Sequence, residues 1–179
     1  MADMVDFPVT ELEPTDYVEA GDRAPDFTRP LVNAEYWEDV ALSDLYGDGP
    51  VVLLFHPMDG DFPALYYWKE ITKRGWSEHA TVVGCSISTP YEHARFVEER
   101  GLDVGGSPEE GYRLFSDPGA GVAEAYGVAI EVDGMTGVSE PRPSVFVIDS
   151  EGTVEYAWAS TKWPELPDYD DVEAVVEDR

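Results

Sequence analysis

Apolar residues recur along this chain in two periods, and each marks a different kind of element. Val51, Val52, Leu53, Leu54 and Phe55 run without a polar break after the turn Gly47-Asp48-Gly49-Pro50. That is the pattern of a short strand buried on both faces. Residues 80–88, "ATVVGCSIS", repeat it and read as a second central parallel strand. Between them the period changes, and a helix is predicted from about Phe62 to Arg74. After the second strand comes "TPYEHARFVEERGL", with Thr89 as N-cap, Pro90 at the first helical position and Gly101 suited to the C-terminal cap.

The second half is shorter in its elements. "YRLFSDPGAGVAEAYGV" gives a short strand, a turn at Asp117-Pro118-Gly119 and a short helix ending at Gly127. "PSVFVIDSEGTVEYAWAS" gives two antiparallel strands around the turn Asp149-Ser150-Glu151-Gly152. Upstream, "YWEDVALSDL" is strand-like. Residues 1–19 have no period and carry Pro8 and Pro14, so they form an acidic N-terminal extension; the body spans 20–161, and 162–179 form an acidic tail that can end in a helix from Asp170. A parallel βαβ half joined to an antiparallel hairpin half implies an α/β domain with a central mixed sheet flanked by helices, the plan of a thioredoxin-like fold.

Charge narrows the functional classes. The 179 residues hold 38 acidic against 11 basic side chains, a net charge of −27, and the only lysines are Lys69, Lys73 and Lys162. Such a chain repels nucleic acid and anionic membranes, both of which select basic patches. No apolar run approaches the roughly 18–20 residues of a spanning helix, and the acidic N-terminus lacks the pattern of a secretion signal, so a cytoplasmic protein is expected. Repulsion on this scale is tolerable where salt shortens the Debye length, which points to a salt-rich, halophilic cytoplasm. Acidic disorder is the competing reading, and 12% aromatic residues spread among clear strands oppose it.

The single cysteine, Cys85, excludes an intramolecular disulfide, a CxxC pair and a multi-cysteine metal site. It lies in the apolar strand 80–88, where a thiol packs as a small hydrophobe. His56, Asp59 and Asp61 form H-x-x-D-x-D without fixed third and fourth ligands, so neither a metal nor a cofactor is expected. His79 and His93 read as surface or capping residues on helix edges. Tyr66, Tyr67 and Trp68 span nearly 200° of a helix, so at least one leaves the core face and offers a surface for a homodimer or a protein partner.

Several stretches carry a resemblance in a common order: "GDRAPDF", "LSDLYGDGPVVLLFHP", "VVGCSISTPYEHARFVEERGL", "FSDPGAGVAEAYGV" and "PRPSVFVIDSEGTVEYAW". Together they resemble the peroxiredoxin family of alkyl hydroperoxide reductase and thiol-specific antioxidant proteins, over roughly residues 20 to 160. The resemblance implies a thioredoxin-like fold of peroxiredoxin type and an antioxidant, thiol-dependent oxidoreductase ancestry. The family's site motif is P-x-x-x-T/S-x-x-C. Here Pro57 supplies the proline, Asp61 stands at the hydroxyl position and Ala64 at the cysteine position, while Arg142 matches the family's arginine over the peroxide pocket.

Alanine offers no lone pair and no acidic proton, so peroxidase chemistry of the family's kind is expected to be absent at residue 64. Asp61 has two structural readings, an N-cap and a partner of Arg142 replacing the missing thiolate, and a third as a catalytic carboxylate. Three functions follow. The leading one is a peroxiredoxin-like pseudoenzyme; the others are a non-catalytic binding or structural subunit, and an enzyme acting through Asp61 and Arg142 on an unknown small molecule.

Overall fold

The computed structural model describes residues 9–131 and 136–177. The first residues of the expected N-terminal extension, 1–8, lie outside them. In chain order the elements are β1 (Thr10–Glu11), β2 (Thr28–Val32), β3 (Trp37–Ala41), β4 (Val51–Phe55), α1 (Phe62–Arg74), β5 (Thr81–Ser86), α2 (Pro90–Glu99), β6 (Arg113–Ser116), α3 (Gly121–Tyr126), β7 (Ala129–Ile130), β8 (Glu140–Pro141), β9 (Ser144–Ile148), β10 (Val154–Ala159), β11 (Lys162–Trp163) and α4 (Tyr169–Glu177). Seven strands form one mixed sheet in the order β10-β9-β4-β5-β6-β2-β3. This is the expected thioredoxin-like α/β domain.

Parallel pairing is confined to β4, β5 and β6, the strands joined by helical crossovers. β4 and β9 are buried at every residue, which explains their unbroken apolar runs. Side-chain alternation splits the sheet's contacts into two cores. Val51, Leu53, Phe55, Cys85, Phe146 and Ile148 face α3 and Tyr126. Val52, Leu54, Val145 and Val147 face α1, α2 and α4.

The helices begin and end where local chemistry dictates. α1 opens on the Asp61 cap and Pro63 and stops at Gly75, whose φ of 68° is the left-handed conformation that glycine adopts most readily. α2 opens on a Thr89–Glu92 capping box. Five short strands escaped the sequence pattern. β2 contains Pro30, which lowers its strand signal, and it sits beside the edge strand β3. The two-residue ladders β1–β11 and β7–β8 join segments that show no period of their own.

The described residues nearest each end pack on the body. Arg74 at the end of α1 contacts Glu70 at 2.8 Å, Asp170 at 2.8 Å and Glu173 at 2.9 Å. Trp76 donates its indole N–H to Glu173, and Val172 and Val176 enter the α1 core. On the other side, β1 pairs with β11 and Thr15 donates to the Gly127 carbonyl.

Candidate functional site

β4 ends at Phe55, and the chain then turns over the C-terminal edge of the parallel strands before entering α1. The His56 amide donates to the Cys85 carbonyl, and the Pro57 carbonyl accepts from the Ile87 amide, so the start of the loop continues the sheet's pairing. Asp61 closes the rest of the loop. One carboxylate oxygen accepts from the Ala64 amide at 2.8 Å and the other from the Met58 amide at 3.2 Å. These are the contacts of an N-cap, reinforced by the positive end of the helix dipole. Ala64 sits in the first turn, fully buried, with its methyl group in the apolar layer under α1.

Arg142 lies between β8 and β9, and its amide donates to the Val128 carbonyl at 2.8 Å. Its guanidinium donates to the Ser160 carbonyl at 3.1 Å and the Glu13 carbonyl at 2.9 Å, and Nε meets no hydrogen-bond partner among the described residues. It borders a cleft of about 480 Å³ walled by residues 10–15, 129–131 and Trp163, not by α1. Burial lowers the pKa of this guanidinium. In these hydrogen bonds Asp61 accepts from two backbone amides of its own loop and helix, and Arg142 donates to two backbone carbonyls elsewhere.

The loop's remaining acidic and imidazole groups are tied into a buried network that sequence reasoning did not find. His93, expected on a helix edge at the surface, is fully buried. Its Nδ1 lies 2.6 Å from the Asp59 carboxylate and its Nε2 lies 3.0 Å from the Phe115 carbonyl. A carbonyl only accepts, so Nε2 carries a proton, and the short Nδ1–carboxylate contact holds one more between two buried groups. Asp59 is further fixed by its amide on Ser88 Oγ at 2.9 Å and by the Ser86 hydroxyl. The signal was present: His93, Phe96 and Val97 are spaced i, i+3 and i+4, one apolar face of α2.

His56 is buried beside this pair. Its Nε2 accepts from the Trp68 indole N–H at 3.3 Å, which places its proton on Nδ1. Burial, reinforced by His93 and opposed by Asp59, lowers its pKa to about 4, so the ring is neutral at pH 7. The H-x-x-D-x-D triplet is therefore dispersed, with His56 on Trp68, Asp59 on His93 and Asp61 on the helix amides. Cys85 is fully buried between Phe55 and Phe115 in register, and burial pushes its thiol pKa well up. A thiol so placed forms little thiolate.

Of the aromatic run, Tyr67 and Trp68 are buried, and Tyr66 leaves the core with 48% exposure. Its ring lies 4.5 Å from that of Phe62. This is the one residue of the three that the helix turns outward.

Comparison with known proteins agrees with this geometry. Residues 20–157 match the AhpC/TSA family. The chain is 30% identical over 148 residues to a chloroplastic 2-cysteine peroxiredoxin of Chattonella marina, covering 78% of this chain and 70% of that one. It is 26% identical over 140 residues to the chloroplastic 2-Cys peroxiredoxin BAS1 of Hordeum vulgare, covering 76% of this chain. It spans 64% of the length of that barley protein and 51% of its Spinacia oleracea counterpart. Among solved structures, the peroxidoxin BcpB of Mycobacterium tuberculosis superposes with a TM-score of 0.64 at 29% identity, covering 80% of this chain and 87% of that one. A thiol peroxidase of Chromobacterium violaceum shares the fold at a TM-score of 0.71, with 22% identity and coverage of 91% and 88%. With residues 20–157 matching the family and the fold in common with its solved members, the chain belongs to the AhpC/TSA family of peroxiredoxins.

Proposed function

We propose that this chain keeps the peroxiredoxin scaffold and has lost thiol peroxidase chemistry at the α1 junction. The observation that carries the reading is the fully buried methyl group of Ala64 in the first turn of α1, where the family motif has its cysteine. Thiol peroxidation needs a thiolate that attacks one peroxide oxygen, forming an S–O bond as the O–O bond breaks and the leaving oxygen is protonated. A methyl carbon supplies no electron pair for this. Asp61, in place of the hydroxyl, spends its carboxylate on two backbone amides. Cys85 is enclosed in the core on the far side of the sheet and stays protonated.

The test is peroxide consumption with a thiol reductant. The protein is expected to turn over hydrogen peroxide and organic hydroperoxides at background rate, and the Cys85→Ser variant to behave identically. A rate above background that disappears in Cys85→Ser overturns the reading. The double variant Asp61→Thr/Ala64→Cys measures how much of the family pocket survives.

A second reading, a binding or structural subunit, is favoured by the outward Tyr66 and its contact with Phe62 on the altered helix. Neither reading requires a cofactor. Both are compatible with the proposed setting, a salt-rich cytoplasm with a homodimer or another protein as partner.

A further inference from the structure

α1 and α2 pack side by side on the sheet, and where α2 ends they leave a groove of about 440 Å³. Leu65 and the exposed Tyr66 give it apolar surface above the buried Trp68, and Thr72 also lines it. Its rim is cationic. Lys69 and Arg100 both line it and both are exposed. Among the described residues neither takes part in an ion pair, and the Arg100 guanidinium lies over the Phe96 ring at 5.9 Å. The single acidic residue of the lining, Glu99, already meets Arg95 at 3.4 Å.

Composition makes this local balance unusual. In a chain with 38 acidic and 11 basic residues, a groove drawn at random is acidic. Here two unpaired cations flank an apolar wall with an outward aromatic ring, the arrangement of a protein-binding rim and anchor. The volume accommodates one or two side chains, not a folded domain. A cationic rim in water attracts carboxylates modestly and selects among partners strongly.

We propose that this groove is a docking site for an acidic segment of a partner protein that seats an apolar side chain against Leu65 and Tyr66 and places its carboxylates on Lys69 and Arg100. Charge complementarity selects the occupant. A second copy of the chain is the less suitable occupant, because it brings a whole body of charge −27 to the groove where a short segment brings only the few carboxylates that the rim can meet. The site is independent of residue 64, so it stands whether or not any peroxidase chemistry remains.

The experiment titrates the full chain into a fluorescently labelled peptide of about ten residues, rich in Glu and Asp around a central Leu-Phe pair, at about 0.1 M and about 1 M NaCl. Two control peptides carry Gln and Asn for the acids, or Ser for the Leu-Phe pair. The acidic peptide is expected to bind roughly tenfold more tightly than the Gln/Asn peptide at low salt, with the gap closing at high salt. Lys69→Glu/Arg100→Glu is expected to remove that gap, and Tyr66→Ala to weaken the acidic peptide several-fold. All three positions are solvent-exposed, so the variants keep the fold, which circular dichroism checks. Lys69→Gln/Arg100→Gln is the milder pair should charge reversal disturb α1. Equal binding of acidic and neutral peptides, or binding untouched by charge reversal, overturns the proposal. A self-association seen by sedimentation and abolished by the same reversal also overturns it, by assigning the groove to a second copy.

Discussion

At position 61 the chain has a carboxylate, and both of its oxygens accept backbone amides in the loop that starts α1. Asp61→Ala is expected to cost about 1 kcal/mol, the usual value of a lost N-cap, and Asp61→Asn clearly less, measured as shifts in urea midpoint at constant slope. His56 sets a pH dependence. Its folded-state pKa of about 4 lies below its ordinary 6.5, so the unfolded chain binds the proton first. Its contribution is complete above pH 6.5 and is lost as pH falls toward 4, by up to roughly 3 kcal/mol. Comparing urea midpoints of the wild-type chain and His56→Asn across that window isolates this term; parallel curves would show that His56 does not titrate differently on folding.

Among the elements, α1 and β5 show how closely the two layers meet. A Cβ at Gly84 in the middle of β5 would strike Leu114 Cδ2 and lie 2.7 Å from the Trp68 ring. Gly84→Ala is therefore expected to destabilise the protein by about 1–3 kcal/mol through overpacking, and to disturb the near-ultraviolet signal of Trp68. An unchanged denaturation midpoint would mean that α1 can ride outward without cost. The limits of α1 were legible because Asp61, Pro63 and Gly75 are local signals read within a few residues. β2 was not, since Pro30 hides a strand whose pairing is provided by residues 37–41 and 114–115.

For the whole molecule the dominating quantity is charge. Of the few cations, Arg74 gathers three carboxylates and pins α4 to α1, while most acidic side chains remain on the surface. Raising NaCl from about 0.1 M to about 1 M shortens the Debye length from about 10 Å to about 3 Å, which relieves that repulsion. The thermal midpoint is expected to rise by roughly 5 °C or more over this range, as read by scanning calorimetry. A flat or falling midpoint would remove the electrostatic reading and with it the proposed salt-rich setting.

Sequence alone determined what short-range chemistry decides: the buried strands, the capped helices, the family, and the absence of a thiol at residue 64. It also placed Cys85 in an apolar strand. Tertiary structure decided which side chains meet. Asp59 and His93 are 34 residues apart and share a proton only because α2 returns across the C-terminal edge of β5. The resemblance assigns Arg142 and Asp61 to one site, and the tertiary structure supplies their backbone partners: Arg142 donates to the Ser160 and Glu13 carbonyls, while Asp61 accepts from the Met58 and Ala64 amides. Which face of a sheet a residue joins depends on phase within its strand and on what covers each side, and neither is written in the residue itself.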